Sequence, residues 1–286
     1  QSANAATLDG VDIGAEYGFG AIANVTNVQR AKAAVSAETS GATKVWLAND
    51  SVEARVAADR NAIQAVATAN LASGNQLEVH ATSIGNGNNG WGGGGEGPGG
   101  VIGTAGLGHG NALTVTAPLS VQNAQTFRAP VSAVVQDSMT RITDWGAFVN
   151  SSGWVSGNSV KAAATGNSGT SGLTLDAVSL ATAADLNSGQ FGDGDVLVKI
   201  GSRSDRTGAS IAGLSDVVGS SLSVADNTVQ GLATANIAAN AMKVAATQLT
   251  NGSGHDDATA GPDGSSVAAA ADYALANHQL LGSDRT

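Results

Sequence analysis

The sequence predicts an all-β chain whose repeats stack on one another, as in a β-solenoid or β-helix; a β-sandwich is the alternative. Three observations carry this expectation. A segment recurs three times. Small and apolar residues keep alternate positions in every copy. The composition also suits a thin interior, with aromatics at 3%, charged residues at 13% and 39 Gly among 286 residues. Such a chain cannot fill a thick core with Phe and Leu, so its backbones must lie close together.

The recurring segment is Asn61–Ala81, NAIQAVATANLASGNQLEVHA. It returns as Asn158–Ala177 and as Asn227–Ala245, with starts 97 and then 69 residues apart. In the first copy Ile63, Ala65, Ala67, Ala69 and Leu71 share one face, and Gln64, Thr68 and Asn70 the other. The third copy keeps the parity with Val229, Gly231, Ala233, Ala235 and Ile237, the second with Val160, Ala162, Ala164 and Gly166. A helical stripe also fits the first copy. Gly231 and Gly166 argue against it, since each costs about 1 kcal/mol inside a helix. Each copy therefore reads as strand, turn and strand. The second strand is Leu77–Val79, Leu173–Leu175 or Met242–Val244. Similar short strands are expected at Leu113–Val115, Leu222–Val224 and Leu197–Val198.

Repeats that cannot bury a face alone bury it by stacking. Stacking places like residues above one another, where amides and hydroxyls share hydrogen bonds. Asn61, Thr68 and Asn70, with Asn158, Thr165 and Asn167, and Asn227, Thr234 and Asn236, are the expected ladder positions. That Asn and Thr simply suit strands and turns is the plainer reading.

In chain order, residues 1–26 read as an N-terminal arm, and 27–286 as a single elongated repeat body. Leu8, Val11 and Ile13 alternate within the arm and are candidate contacts with a neighbouring subunit. Residues 28–57 fit either a helix or a degenerate repeat copy, since Val28-Gln29 echoes Ile63-Gln64 and Val229-Gln230. Residues 85–110, more than half Gly, fit neither a helix nor an ordinary strand and read as a projecting loop. Trp91 on that loop, with Trp145 and Trp154 beside the second copy, are further interface candidates; a sugar platform and a simple packing role both remain open. Residues 265–281 fit a fourth copy, with Val267, Ala269, Ala271, Tyr273 and Leu275 on one face, or an Ala-rich helix.

Motifs for catalysis are missing. Gly85–Gly90 matches GxGxxG, but the following Gly run forbids the helix that the dinucleotide fingerprint needs. His80, His109, His255 and His278 have no metal-ligand spacing. No catalytic, cofactor or metal residues are assigned, and no enzyme is expected. Asp193-Gly194-Asp195 and the run from His255 to Asp263 carry oxygens of the kind calcium takes, without EF-hand spacing; solvated turns are the expectation. The net charge of −10 argues against nucleic acid and anionic membrane. No apolar run reaches the roughly 20 residues of a bilayer span. Cysteine is absent, so no disulfide is expected. The start at QSANA, without Met, suits either removal of a secretory signal or a chain cut at a domain edge.

The recurrent frame N-x-V-x-A-x-A-x-G/A-N, in a Cys-free chain rich in Gly, Ala, Asn and Thr, resembles the holdfast-anchoring proteins of stalked alphaproteobacteria. It is broadly similar to other repeat-built bacterial adhesins and fibre subunits. The resemblance implies an extracellular or cell-surface location, a polymeric or elongated form, and a role in attachment. The expected function is a structural subunit that assembles with itself into an extracellular fibre, sheath or biofilm-matrix polymer. The alternative is a monomeric surface adhesin that binds polysaccharide or another surface protein.

Overall fold

The structure is a computed structural model. It describes residues 3–13, 23–47, 50–85, 103–108, 111–115, 119–201, 207–213, 215–249, 257–261, 267–270 and 273–282. Every regular element among them is a β-strand. Strand β1 is Ala5–Ile13. A first pass then runs β2 Ala23–Ala31, β3 Val35–Ser40, β4 Thr43–Leu47, β5 Ser51–Val52, β6 Arg55–Asp59 and β7 Ala62–Gly85. After β8 Gly103–Gly108 and β9 Asn111–Val115, a second pass follows the same order. It runs β10 Leu119–Phe127, β11 Val131–Gln136, β12 Met139–Asp144, β13 Phe148–Val149, β14 Ser152–Ser156 and β15 Ser159–Ala181. A third pass runs β16 Ala184–Gly192, β17 Val196–Ile200, β18 Gly208–Gly213, β19 Val217–Val218, β20 Ser221–Ala225 and β21 Thr228–Leu249. The last strands are β22 Asp257–Gly261, β23 Val267–Ala270 and β24 Tyr273–Leu281.

Six sheets are parallel, each taking one strand from every pass. The long-strand sheet is ordered β1-β7-β15-β21, and the sheet facing it β2-β10-β16-β24. Register is conserved down both. Thr68, Thr165 and Thr234 form one row, and Val79, Leu175 and Val244 another. The parity of the sequence makes this work. In β11, Val131, Ala133 and Val135 are buried while Ser132, Val134 and Gln136 turn outward. Between the long-strand and facing sheets lies one apolar cluster, built on Leu77, Val79, Leu173 and Leu175 against Leu119, Val121 and Leu186. A second cluster gathers Phe127, Val131, Ala162 and Ala164.

The unequal repeat spacing has a simple cause. Between β7 and β10 the chain inserts β8 and β9, and between β21 and β24 it inserts β22 and β23, whereas β15 leads straight into β16. The two insertions meet. They form an antiparallel sheet ordered β23-β22-β9-β8, with Thr259 opposite Thr114. This sheet packs against β10 and β16, both buried along their whole length.

Several expectations need correction. The described part of residues 28–57 forms strands β2 to β6, neither helix nor repeat copy. Val28-Gln29 lies beside Ala124-Gln125 in the facing sheet, not with Ile63-Gln64. Part of the Gly-rich stretch, Gly103–Gly108, is a strand after all, because a neighbouring strand supplies its hydrogen bonds. The short strands expected at Leu113–Val115, Leu222–Val224 and Leu197–Val198 are present, within β9, β20 and β17, but they lie outside the long-strand sheet. Residues 273–281 form β24 in the facing sheet with the opposite parity, burying Ala274 and Ala276 and exposing Leu275. Each repeat copy is one long strand, not two, with a register shift between Gly169 and Ser171 where β15 meets β7.

Phe127 is fully buried and sits where smaller residues leave it room. A Cβ on Gly166 would strike the Phe127 ring and lie 2.5 Å from the Ala235 carbonyl oxygen. One on Gly172, in the same strand, would meet nothing closer than 3.5 Å. Gly166→Ala is therefore expected to destabilise the fold by about 1–3 kcal/mol or more through overpacking, and Gly172→Ala to be near neutral. Thermal unfolding of the two variants compares them directly.

Candidate functional site: amide ladders and open strand edges

The interior is crossed by rows of carboxamides. Along β7, the small residues Ala65 and Ala67 point inward, and at Asn70 the phase shifts so that Asn70 is 5% exposed. The sequence places Asn70 on the outer face with Gln64 and Thr68; the burial phase of the strand slips over Thr68–Asn70 and turns it in. Asn70 Nδ2 donates to Asn167 Oδ1 at 2.7 Å, and Asn167 Nδ2 donates to Asn236 Oδ1 at 2.8 Å. The second amide hydrogen crosses the interior. Asn70 donates to the Thr126 carbonyl at 2.8 Å and Asn167 to the Phe191 carbonyl at 3.0 Å.

A matching row, without a signal in the repeat frame, runs down the facing sheet. Gln190 Nε2 donates to Gln125 Oε1 at 2.7 Å, and Gln125 Nε2 to Gln29 Oε1 at 2.8 Å; Gln279 lies beside Gln190. These amides cross in the opposite direction. Gln29, Gln125 and Gln190 donate to the carbonyls of Leu71, Ser168 and Ile237. Each acceptor directly follows a ladder Asn. The two sheets thus clasp each other reciprocally, amide to backbone. The pattern would be readable only by aligning Gln29, Gln125, Gln190 and Gln279, whose neighbours share little.

A third row sits at the corner before the long strands. Asn61 Nδ2 donates to Asn158 Oδ1 and Asn158 Nδ2 to Asn227 Oδ1, both at 2.8 Å. Asn158 and Asn227 also cap the turn, donating to the Ala58 carbonyl and to the Val155 and Ala225 carbonyls respectively. The residue before each Asn is left-handed: Arg60 at φ 53°, Gly157 at 64° and Asp226 at 54°. Thr68, Thr165 and Thr234 align in register, but their hydroxyls make no hydrogen bonds to one another.

The remaining candidates fall in different places. Leu8, on β1, packs against the first apolar cluster of its own chain, with Ala5–Ile13 running parallel to Gln76–Ile84. Val11 and Ile13 share that strand. Trp154, on β14, is half-buried between Ala57 and Ser223. Trp145 stands 57% exposed and stacks on Trp46, which sequence reasoning missed. Trp91 lies outside the described residues, as do His109, His255 and the Asp256–Asp263 acidic run except for Asp257. Asp193 and Asp195 flank a turn between β16 and β17.

Among the described residues, both ends of the stack carry unpaired edges. β24 and β21 end the facing and long-strand sheets on one side, β2 and β1 on the other. At the third-pass end, apolar residues stay open: Val224 is 49% and Val229 53% exposed, whereas Val155 and Val160, their neighbours one pass below, are buried. The amide rows end with opposite polarity. Asn227 and Asn236 have no further ladder acceptor and turn their amides to backbone carbonyls. Among the described residues, Asn61 and Asn70 Oδ1 accept no ladder hydrogen bond.

Charge is sparse in this framework. At His278 on β24, burial holds the imidazole pKa below its ordinary value. No group of three or more metal-ligating side chains comes together among the described residues. No protein-family model, curated protein or solved structure matches the chain.

Asn167 makes or takes three hydrogen bonds at zero exposure. Asn167→Ala leaves the Asn236 Oδ1 and Phe191 carbonyl acceptors buried without their donor, at about 1–3 kcal/mol each, while Asn70 keeps its bond to the Thr126 carbonyl, so a loss of about 2–6 kcal/mol is expected. Thr165→Ala, which removes no ladder bond, is expected to stay within about 1 kcal/mol. Denaturant titration of both variants checks the difference. Because the folded-state pKa of His278 is lowered, its stabilising contribution is present above the ordinary imidazole pKa and is lost as pH falls below it. Protection factors of the β24 amides, which are corrected for the intrinsic pH dependence of exchange, should therefore fall from neutral to acid pH, and His278→Gln should flatten that response.

Proposed function

We propose that the chain is a β-solenoid structural subunit that joins head to tail into an extracellular fibre or matrix polymer used in attachment. The observation that carries this reading is the match between its two ends. In the contact, β1 of one copy lies along β21 of the next in the register it keeps with β7. Leu8 then extends the row Val79, Leu175, Val244, and Ala6 the row Leu77, Leu173, Met242. In the facing sheet, β24 meets β2 of the next copy, which sets Gln279 above Gln29 and continues the glutamine row. The strands β1 and β24 occupy one shared layer in different sheets, so they do not collide. The contact leaves β17–β20 separated from β3–β6 of the next copy by the width of one further strand.

A heterologous contact of this kind generates an open filament when its rotation does not close, and parallel edge pairing is a known route of strand addition. The extracellular setting rests on the resemblance in the repeat frame and on the Cys-free composition. Attachment follows from the same resemblance.

Thr7 and Lys243 are both exposed and share one row, three strand steps apart within a copy. That distance, about 14 Å at roughly 4.8 Å per strand, is beyond the roughly 7 Å that a disulfide bridges. Across the proposed junction they lie one step apart. In this Cys-free chain, Thr7→Cys combined with Lys243→Cys is expected to give dimers, trimers and longer species on oxidation, and each single variant dimers at most. A doubly substituted chain that remains monomeric under oxidation would sink the head-to-tail contact. Deleting residues 1–13 should abolish filaments in the electron microscope while leaving folded monomer.

A further inference from the structure

The outer face of β4 and β12 holds an exposed aromatic pair with two cations beside it. Trp46 and Trp145, two of only four Trp in the chain, stack with ring centroids 5.9 Å apart and planes 17° from parallel. Both are more than half exposed, at 55% and 57%. Their positions are fixed by the framework. Val45 and Leu47, on either side of Trp46, turn inward to the third apolar cluster. The Trp145 backbone donates to the Leu47 carbonyl at 3.0 Å. The following turn is pinned by Asp144 Oδ1, accepting from the Gly146 amide, and Asp50 Oδ1, accepting from the Ala147 amide.

Two residues along the same outer face, Lys44 lies beside Arg141 in register. The chain has only 13 basic residues against 23 acidic ones, so two adjacent cations next to two bare indoles stand out. Neither cation has an ion-pair partner among the described residues, and Arg141 Nε is buried without an acceptor. Among the described residues, no acidic side chain explains the two adjacent cations. Two exposed indoles flanked by polar residues are too small a patch for a stable protein interface of roughly 800 Å² per partner.

We propose that this face binds an acidic polysaccharide. An indole offers a flat apolar face to the C–H groups of a pyranose ring, and the neighbouring Lys44 and Arg141 meet a uronate carboxylate. The Arg141 guanidinium is a planar, forked donor of the kind that recognises carboxylates. Nucleic acid shares the chemistry of stacking plus cations; with only Lys44 and Arg141 beside the indoles, the site offers two cations to a ligand, fewer than the roughly 6–10 phosphate contacts typical of nucleic-acid binding. The site lies on the side of the stack, away from β1, β2, β21 and β24. It therefore operates whether or not the chain polymerises.

The test uses the intact chain with polygalacturonate, alginate and hyaluronate as probes, dextran as a neutral control and a single-stranded oligonucleotide as a second control. Binding is followed by calorimetry and tryptophan fluorescence at two salt concentrations. The expected result is binding to at least one uronate polymer, weakened by salt, and weakened at least tenfold by Trp46→Ala with Trp145→Ala and by Lys44→Glu. Circular dichroism and unfolding temperature confirm that these exposed-site variants fold. Arg141→Gln is the supporting variant. Failure to bind any of the three uronate polymers overturns the proposal. So does equal binding to dextran, stronger binding to the oligonucleotide, or affinity unchanged in the folded double-Trp variant. Since Thr7→Cys with Lys243→Cys reads the junction alone, the two conclusions fail independently.

Discussion

The structure depends on carboxamides that bond twice: once along the stack and once across it. A thin interior of Ala, Val and Gly gains limited apolar area, so the sheets need another source of order between them. Asn70 and Asn167 reach from the long-strand sheet to the backbone of the facing sheet, while Gln29, Gln125 and Gln190 reach back. Every such amide must stand above its counterpart for both bonds to form. Register is therefore fixed by hydrogen-bond geometry as much as by apolar parity. A slip of one residue in any pass would leave polar groups stranded in the core, at a cost of about 1–3 kcal/mol each.

The all-β character was legible in the sequence because alternation of small residues survives in all three copies of the Asn61 frame. The Asn positions were legible because their neighbours also recur. The glutamine row was hidden for the opposite reason. Gln29 follows Val28, Gln125 follows Ala124 and Gln190 follows Gly189, and they recur at unequal separations. Residues 28–57 carried enough Ala, Lys and Glu to resemble a helix; tertiary pairing overrode that local preference. The inward turn of Asn70 comes where the alternation of the strand slips by one residue over Thr68 and Ala69, which a strict period of two cannot locate. Trp46 gave no signal, since one Trp in a short strand looks like any other; only the arrival of Trp145 beside it, from a different pass, makes the pair.

The insertions show how a regular stack tolerates irregular spacing. Both enter at the same corner, between the long-strand and facing sheets, and the pass between them omits the insertion. That omission leaves room for β9 and β22 to meet. What reads as a broken period is thus one added element assembled from two remote pieces. It closes over β10 and β16 and lets these strands bury both faces, which explains why polar residues such as Gln122 and Ser188 have no exposure at all.

The long sequence separation between register partners has a consequence for how the molecule comes into being. Thr165 finds Thr68 only after nearly a hundred residues have been made, and no strand of the first pass has its main partner within that pass. Loop-closure entropy must be met before the first parallel pair repays it, so the barrier to nucleation is high and acquisition of structure is slow. Until the second pass is in hand, the polypeptide stays pliant and threadable. Once two passes have met, each later strand adds to a ready template, and growth proceeds from one side of the stack to the other.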